Sequence, residues 1–182
     1  MDLIKLSKEI SYALRHEPQK YGLSLDEEGY VSVEQLLSAI NAGGEYNPPA
    51  TLDDINDMIE HSEKKRHEIK NGKIRALYGH TLEVKIVKEK GCPPDTLFHG
   101  TSHKAIDRIM SEGLKSMERN YVHLSVDTDT AIRVGKRHDE NPVILQVDSK
   151  NAQKEGVIFY IGNDKVWLCD YIEPKYLKIF QQ

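Results

Sequence analysis

The spacing of apolar residues changes near the middle of the chain, and this divides it into two lobes of different construction. Up to residue 61 the apolar positions recur at helical intervals. Leu3, Leu6, Ile10, Ala13 and Leu14 share one face, and Pro18 stops that helix soon after. Ser32-Val33-Glu34-Gln35 has capping-box spacing, and Leu36, Leu37 and Ile40 continue a second stripe until Gly43-Gly44 ends it. After the break at Asn47-Pro48-Pro49, Thr51-Leu52-Asp53-Asp54 starts a third helix with Leu52, Ile55, Met58 and Ile59 inward. Segments 66–70 and 73–78 then flank Asn71-Gly72, the strongest short signal for a hairpin.

Three helices followed by a hairpin form the outline of a winged helix, a scaffold that often binds nucleic acid. The stretch from Glu83 to Asp95 is charged, holds Gly91 and Pro93-Pro94, and reads as a linker. Beyond it, strand patterns cover 96–99, 121–125, 143–148, 157–161 and 166–169, with helices near 103–111 and 128–136. Many strands with two short helices imply an α+β lobe rather than a doubly wound sheet. The expected organisation is α+β overall, a winged-helix lobe over 1–90 and a second lobe over 91–182. No internal repeat or low-complexity tract interrupts it.

A chain of 182 residues can bury two modest cores. No apolar run has the length of a membrane span or of a secretion signal, so a cytoplasmic protein with no membrane partner is expected. Two cysteines, Cys92 and Cys169, make neither a disulfide framework nor a four-cysteine zinc site, and read as thiols in a reducing compartment. A net charge of −4 argues against nonspecific coating of nucleic acid, although the cations are grouped, as at Arg15-His16 and from Lys64 to His67. The chain has no G-x-G-x-x-G after a strand, no P-loop, no H-E-x-x-H and no nucleophile elbow. Scattered histidines give no metal-ligand spacing, and no metal is expected.

Two segments stand out for chemistry. Leu97-Phe98-His99-Gly100-Thr101-Ser102 and Val122-His123-Leu124-Ser125 each read as a strand end that delivers a histidine and then a hydroxyl. Imidazoles and hydroxyls from two strands suit a nucleotide's sugar and phosphate without adding charge, and Gly100 would let a flat ligand approach the backbone. Arginines beside histidine make the other set. Arg15-His16 closes the first helix, Arg66 opens the hairpin and Arg119 precedes the second histidine strand. If they converge they make a phosphate pocket, because the guanidinium fork stays charged at any working pH. His61, His67, His103 and His138 sit in polar stretches and are expected at the surface, and Gly79-His80-Thr81 either touches a ligand or caps the turn.

Taken in order, these pieces resemble the RNA 2′-phosphotransferase family, which removes a splice-junction 2′-phosphate from tRNA using NAD. The likeness runs through Leu6-Ser7-Lys8, Ala13-Leu14-Arg15-His16, Gly29-Tyr30-Val31 and Lys64-Lys65-Arg66. It continues through Ile74-Arg75-Ala76, Gly79-His80, Leu97 to Thr101, Gly113-Leu114 with Met117 and Arg119, Val122 to Ser125, and Val166-Trp167-Leu168. The resemblance implies an ADP-ribosyltransferase-like second lobe and a monomer that takes NAD and 2′-phosphorylated RNA as substrates. It also implies that Arg15, His16, Arg66 and Arg119 are catalytic, that His99, Gly100, Thr101, His123 and Ser125 bind NAD, and that Arg75 and His80 contact RNA. The chain departs from the family pattern at Tyr78, where glutamine is usual, at Thr81, which replaces a serine, and at His67, which replaces an aromatic. The implied reaction gives 2′-hydroxyl RNA, nicotinamide and ADP-ribose 1″,2″-cyclic phosphate through an RNA bearing ADP-ribose on its 2′-phosphate.

Two other readings stay open on sequence. One is an ADP-ribosyltransferase acting on other nucleic-acid phosphate ends or on protein; on protein it would need a glutamate in the late strand, and none stands around Asp164-Lys165-Val166-Trp167. A DNA-binding regulator would use the third helix, where Asp53, Asp54, Asp57 and Glu60 repel phosphate.

Overall fold

The computed structural model describes residues 1–181 and divides into two compact units, Met1–Val87 and Lys88–Gln182. The architecture is mixed α/β. Among the described residues no helix is long and apolar enough to cross a membrane.

The first unit starts with α1 (Leu3–Arg15), whose N-terminus is capped by the Asp2 carboxylate accepting from the amides of Ile4 and Lys5. Leu6, Ile10, Ala13 and Leu14 are fully buried, so one face of α1 anchors the core and its remaining rows are free for other use. A 3-10 turn at Pro18–Tyr21 follows, where proline removes a donor the helix would need. Strand β1 (Tyr30–Ser32) leads directly into α2 (Val33–Ala42), with the Ser32 hydroxyl accepting from the Gln35 amide at 3.3 Å. In α3 (Leu52–Glu60) Thr51 and Asp54 form the full reciprocal capping box. Ile55 and Met58 point inward as expected, but Leu52 is 45% exposed because the first turn of α3 faces away from the core.

The hairpin pairs β2 (His67–Lys70) with β3 (Lys73–Ala76) around Asn71 and Gly72, both with positive φ as a type I′ turn demands. β1 adds to the far side of β3, giving an antiparallel sheet of order β1-β3-β2.

The second unit is built on a six-stranded antiparallel sheet of order β11-β7-β4-β6-β9-β8. Its strands are β4 (Leu97–Thr101), β6 (Val122–Ser125), β7 (Val143–Val147), β8 (Phe159–Ile161), β9 (Val166–Cys169) and β11 (Leu177–Ile179); a small pair, β5 (Leu114–Lys115) and β10 (Tyr171–Ile172), lies apart. Helices α4 (His103–Glu112), α5 (Thr128–Gly135) and α6 (Ser149–Lys154) complete it. Leu97, Leu124, Leu145, Val147 and Phe159 form the centre of its core. Part of the expected linker is ordered as an edge of this sheet: Glu89 and Gly91 bond Ile161 and Phe159 through their backbones at 2.9 and 3.0 Å.

Candidate active site

Two adjacent rows of α1, Leu3-Ser7-Ser11-Arg15 and Ile4-Lys8-Tyr12-His16, are left over once its apolar face is buried, and they form one wall of a groove. Met58, His61, Ser62, Glu63, Lys64 and Arg66 form the other wall, and the groove encloses about 790 Å³. Three residues expected to act together, Arg15, His16 and Arg66, therefore line one cavity. Glu63 is the only acid among its lining residues, against Lys8, Arg15, Lys64 and Arg66. Such a surface favours an anion.

These side chains are held in place. Arg15 donates from a terminal guanidinium nitrogen to the Arg66 carbonyl at 3.4 Å, and its guanidinium lies 5.3 Å from the Tyr78 ring centroid. The His16 Nδ1 and the Thr81 hydroxyl are 2.9 Å apart, and the Thr81 amide donates to the Arg15 carbonyl at 3.0 Å. Residue 81 is thus bound twice to the end of α1.

His67, expected at the surface, is instead 4% exposed and shares a 3.0 Å hydrogen bond with the Ser11 hydroxyl. Burial, helped by the charges of Arg15 and Arg66, lowers its pKa to about 3. It is a neutral ring behind the groove. The missed signal was period two: on β2, His67 shares a face with Ile69, and their partners Ala76 and Ile74 are fully buried.

Neither residue expected to touch RNA lines this groove. Arg75 gives both Nε and a terminal nitrogen to Glu68 at 2.6 Å and stacks 4.5 Å from the Tyr30 ring centroid, so its fork is spent inside the protein. His80 is 2% exposed and packs under Gly29, where an added Cβ would lie 3.5 Å from its Nε2. Two further basic side chains, Lys8 and Lys64, reach the groove; neither is among the expected site residues. Their signal was the i, i+4 row opposite the apolar stripe for Lys8, and for Lys64 the run before Arg66.

In the second unit the sheet is nearly split. β4 pairs with β7 along its whole length, but with β6 only at Phe98 and Ser125. One residue further on, the His99 ring occupies the gap and its Nδ1 donates to the His123 carbonyl at 3.0 Å. That fixes the proton on Nδ1 and leaves Nε2 as an acceptor, and burial pushes the pKa of His99 down, keeping the ring neutral. The field of Arg119, an exposed turn residue, adds to the same shift. His123 follows the same rule, its Nδ1 donating to the Tyr121 carbonyl at 3.0 Å.

Strand pleat places His99 and Thr101 on one face and His123 and Ser125 on the other, and the two hydroxyl residues are each 6% exposed. Gly100 also has a reason within the fold. A Cβ there would run into the Ala131 carbonyl and the Gly135 amide of α5, so the glycine lets α5 lie against β4.

The chain matches the family model described as RNA 2′-phosphotransferase, Tpt1 / KptA family, over residues 1–171. It belongs to the RNA 2′-phosphotransferase family. A probable RNA 2′-phosphotransferase of Bacillus thuringiensis is 56% identical over 96% of this chain and 94% of its own length. One from Acetivibrio thermocellus is 51% identical over 98% and 97%, and one from the archaeon Pyrococcus abyssi 39% over 92% and 90%. The two departures from the family pattern nearest the groove are built in: Tyr78 carries the Arg15 guanidinium on its ring, and Thr81 holds His16.

Proposed function

We propose that this member of the family transfers the 2′-phosphate of an RNA to NAD, releasing 2′-hydroxyl RNA, nicotinamide and ADP-ribose 1″,2″-cyclic phosphate. On this reading the first unit is a winged-helix lobe that takes the phosphate and the second an ADP-ribosyltransferase-like lobe that takes NAD. The observation that carries it is the groove in which Arg15, His16 and Arg66 meet, with His16 held by Thr81.

The RNA phosphate is itself the nucleophile toward the nicotinamide-bearing ribose carbon. This accounts for a chain with no activated serine or cysteine. The adjacent ribose hydroxyl then attacks phosphorus, and RNA leaves from an intermediate that carries ADP-ribose on its 2′-phosphate. Both steps gather charge on phosphate oxygens, which preorganised guanidinium groups stabilise without a metal. Arg15 and Arg66 hold those oxygens. His16 moves the proton in the second step, since imidazole titrates near neutral pH. For NAD, neutral His99 offers Nε2 as an acceptor and Thr101, on the same face of β4, a hydroxyl that both donates and accepts, whereas His123 and Ser125 lie on the opposite face of the sheet.

The test is a mass spectrum of products after incubation with NAD and a 2′-phosphorylated oligonucleotide, with excess EDTA present. The expected result is RNA lighter by one phosphate, together with nicotinamide and a cyclic phosphate of ADP-ribose. RNA that keeps its phosphate, or loses it as inorganic phosphate with NAD intact, overturns the proposal.

A further inference from the structure

The groove is longer than one phosphate needs. From Leu3 to Arg15, α1 runs about 18 Å, at about 1.5 Å per residue. A stacked single strand advances about 3.4 Å per nucleotide. The cluster at Arg15, His16 and Arg66 occupies one end, and toward the N-terminus of α1 the wall continues through Tyr12, Ser11, Lys8 and Ser7 to Leu3 and Ile4. Ile4 is 71% exposed, an apolar side chain held out toward the groove mouth where a base has a face to rest on.

The cations of α1 divide in the same way. Lys5, outside the groove, is paired with Glu45 at 2.8 Å. Lys8, inside it, makes no ion pair among the described residues and stands two helical turns, roughly 10 Å, from Arg15. Neutralised lysines add nothing to binding of a polyanion, whereas an unpaired one releases counterions when it meets a phosphate.

We infer that the Lys8–Ile4 end of the groove is a second RNA subsite, which holds the backbone phosphate and base of a nucleotide about three positions along the strand from the 2′-phosphorylated one. Resting on the proposed reading of the Arg15 end, it makes the preferred substrate a single-stranded extension rather than an isolated 2′-phosphate. The site takes its nucleotide by charge and apolar contact, so it is tolerant of sequence.

The experiment is equilibrium binding of fluorescently labelled 2′-phosphorylated RNAs to the full chain without NAD, so that it reads the subsite independently of turnover. A dinucleotide is compared with oligonucleotides extended on the 5′ side only and on the 3′ side only. With one of the extended RNAs, Lys8→Ala is expected to weaken binding about five- to tenfold and to reduce the salt slope of log Kd by about 0.7, the value for one phosphate on a single strand. Ile4→Asp is expected to weaken the same RNA, and Lys5→Ala to leave it unchanged. For the dinucleotide, Lys8→Ala is expected to have no effect. If Lys8→Ala weakens neither extended RNA, or weakens the dinucleotide equally, the second subsite does not exist. Absence of product formation with NAD, by contrast, would overturn the reaction and leave this result standing. Both positions are exposed, so loss of fold does not confuse the outcome.

Discussion

His16 in the first unit and His99 and His123 in the second are held in opposite ways. In the first, His16 shares its hydrogen bond with a hydroxyl, Thr81, which can turn to donate or to accept as the ring gains or loses a proton. In the second, His99 and His123 bond backbone carbonyls, which only accept, so each ring is fixed with its proton on Nδ1. The surroundings differ in the same sense. His16 lies in a groove with four cations, while the charges around His99 and its burial both oppose protonation. On the proposed reading, the His16 groove serves charge and proton movement, and the neutral ring of His99 serves recognition.

Removing charge should break the first arrangement most severely. Arg66→Ala is expected to lower turnover of 2′-phosphorylated RNA by about 10²–10³, the usual cost of one preorganised donor at a site where charge develops. Its side chain lies along the groove wall rather than in the core, so the melting temperature should stay within a few degrees of the parent. Near-normal turnover by a folded Arg66→Ala protein would remove that residue from the chemistry.

The division of labour between the units is sharpened by pairing His16→Ala with His99→Ala. The first is expected to release nicotinamide while RNA bearing ADP-ribose on its 2′-phosphate accumulates as a slower gel band, because the second step needs the proton transfer. The second is expected to raise the KM for NAD about tenfold or more and to slow nicotinamide release, with no such band. If both variants lose nicotinamide release and RNA release in equal proportion, the assignment of separate roles is wrong.

What the sequence made legible follows from how local each feature is. The stripes of α1 and α2, the Asn71-Gly72 turn and the helix start at Thr51 are decided within a few residues, and all are present. Strand β1 was hidden because its three residues run into Ser32, which reads as a helix start and is one. β11 is as short and gains its identity only from pairing with β7. Gly100 shows a related limit. A missing Cβ signals close approach, but the sequence does not say whether the neighbour is a ligand or, as here, helix α5. Arg75 illustrates the same limit, since its partner Glu68 sits on the adjacent strand, seven residues away and across a turn. The splay between β4 and β6 is tertiary altogether, and no residue pattern announces a histidine ring in place of a ladder bond.

Thr81 tests whether the hydroxyl partner matters for proton movement. Thr81→Val keeps the volume and the backbone bond to Arg15 but leaves the His16 Nδ1 facing a methyl group. We expect kcat to fall about tenfold, with the pH–rate profile displaced and KM for NAD unchanged, and Thr81→Ser to restore both rate and profile. A valine variant with the parental pH profile would mean that Thr81 only closes the chain onto α1.

The smallest effect on activity, and the clearest on stability, should come from His67. Its ordinary value of 6.5 is lowered to about 3 in the fold, so between those limits the unfolded chain binds a proton that the folded chain refuses. Stability is therefore lost as pH falls from about 6.5 toward about 3, and fully present above that window. His67→Phe places a ring of similar size against Ile69 and Ala76 without a titrating group, at the expense of the bond to Ser11. Turnover at neutral pH is expected to stay within about twofold, since the ring lies behind the groove rather than in it. Amide hydrogen exchange resolves the two units separately, and on acidification the first unit of the variant should stay protected to lower pH than that of the parent. The second unit, where His99 is also held neutral, should open at the same pH in both proteins. If the first unit opens identically with and without His67, its acid sensitivity arises from carboxylates instead, such as Asp26 and Glu68, whose values the fold lowers.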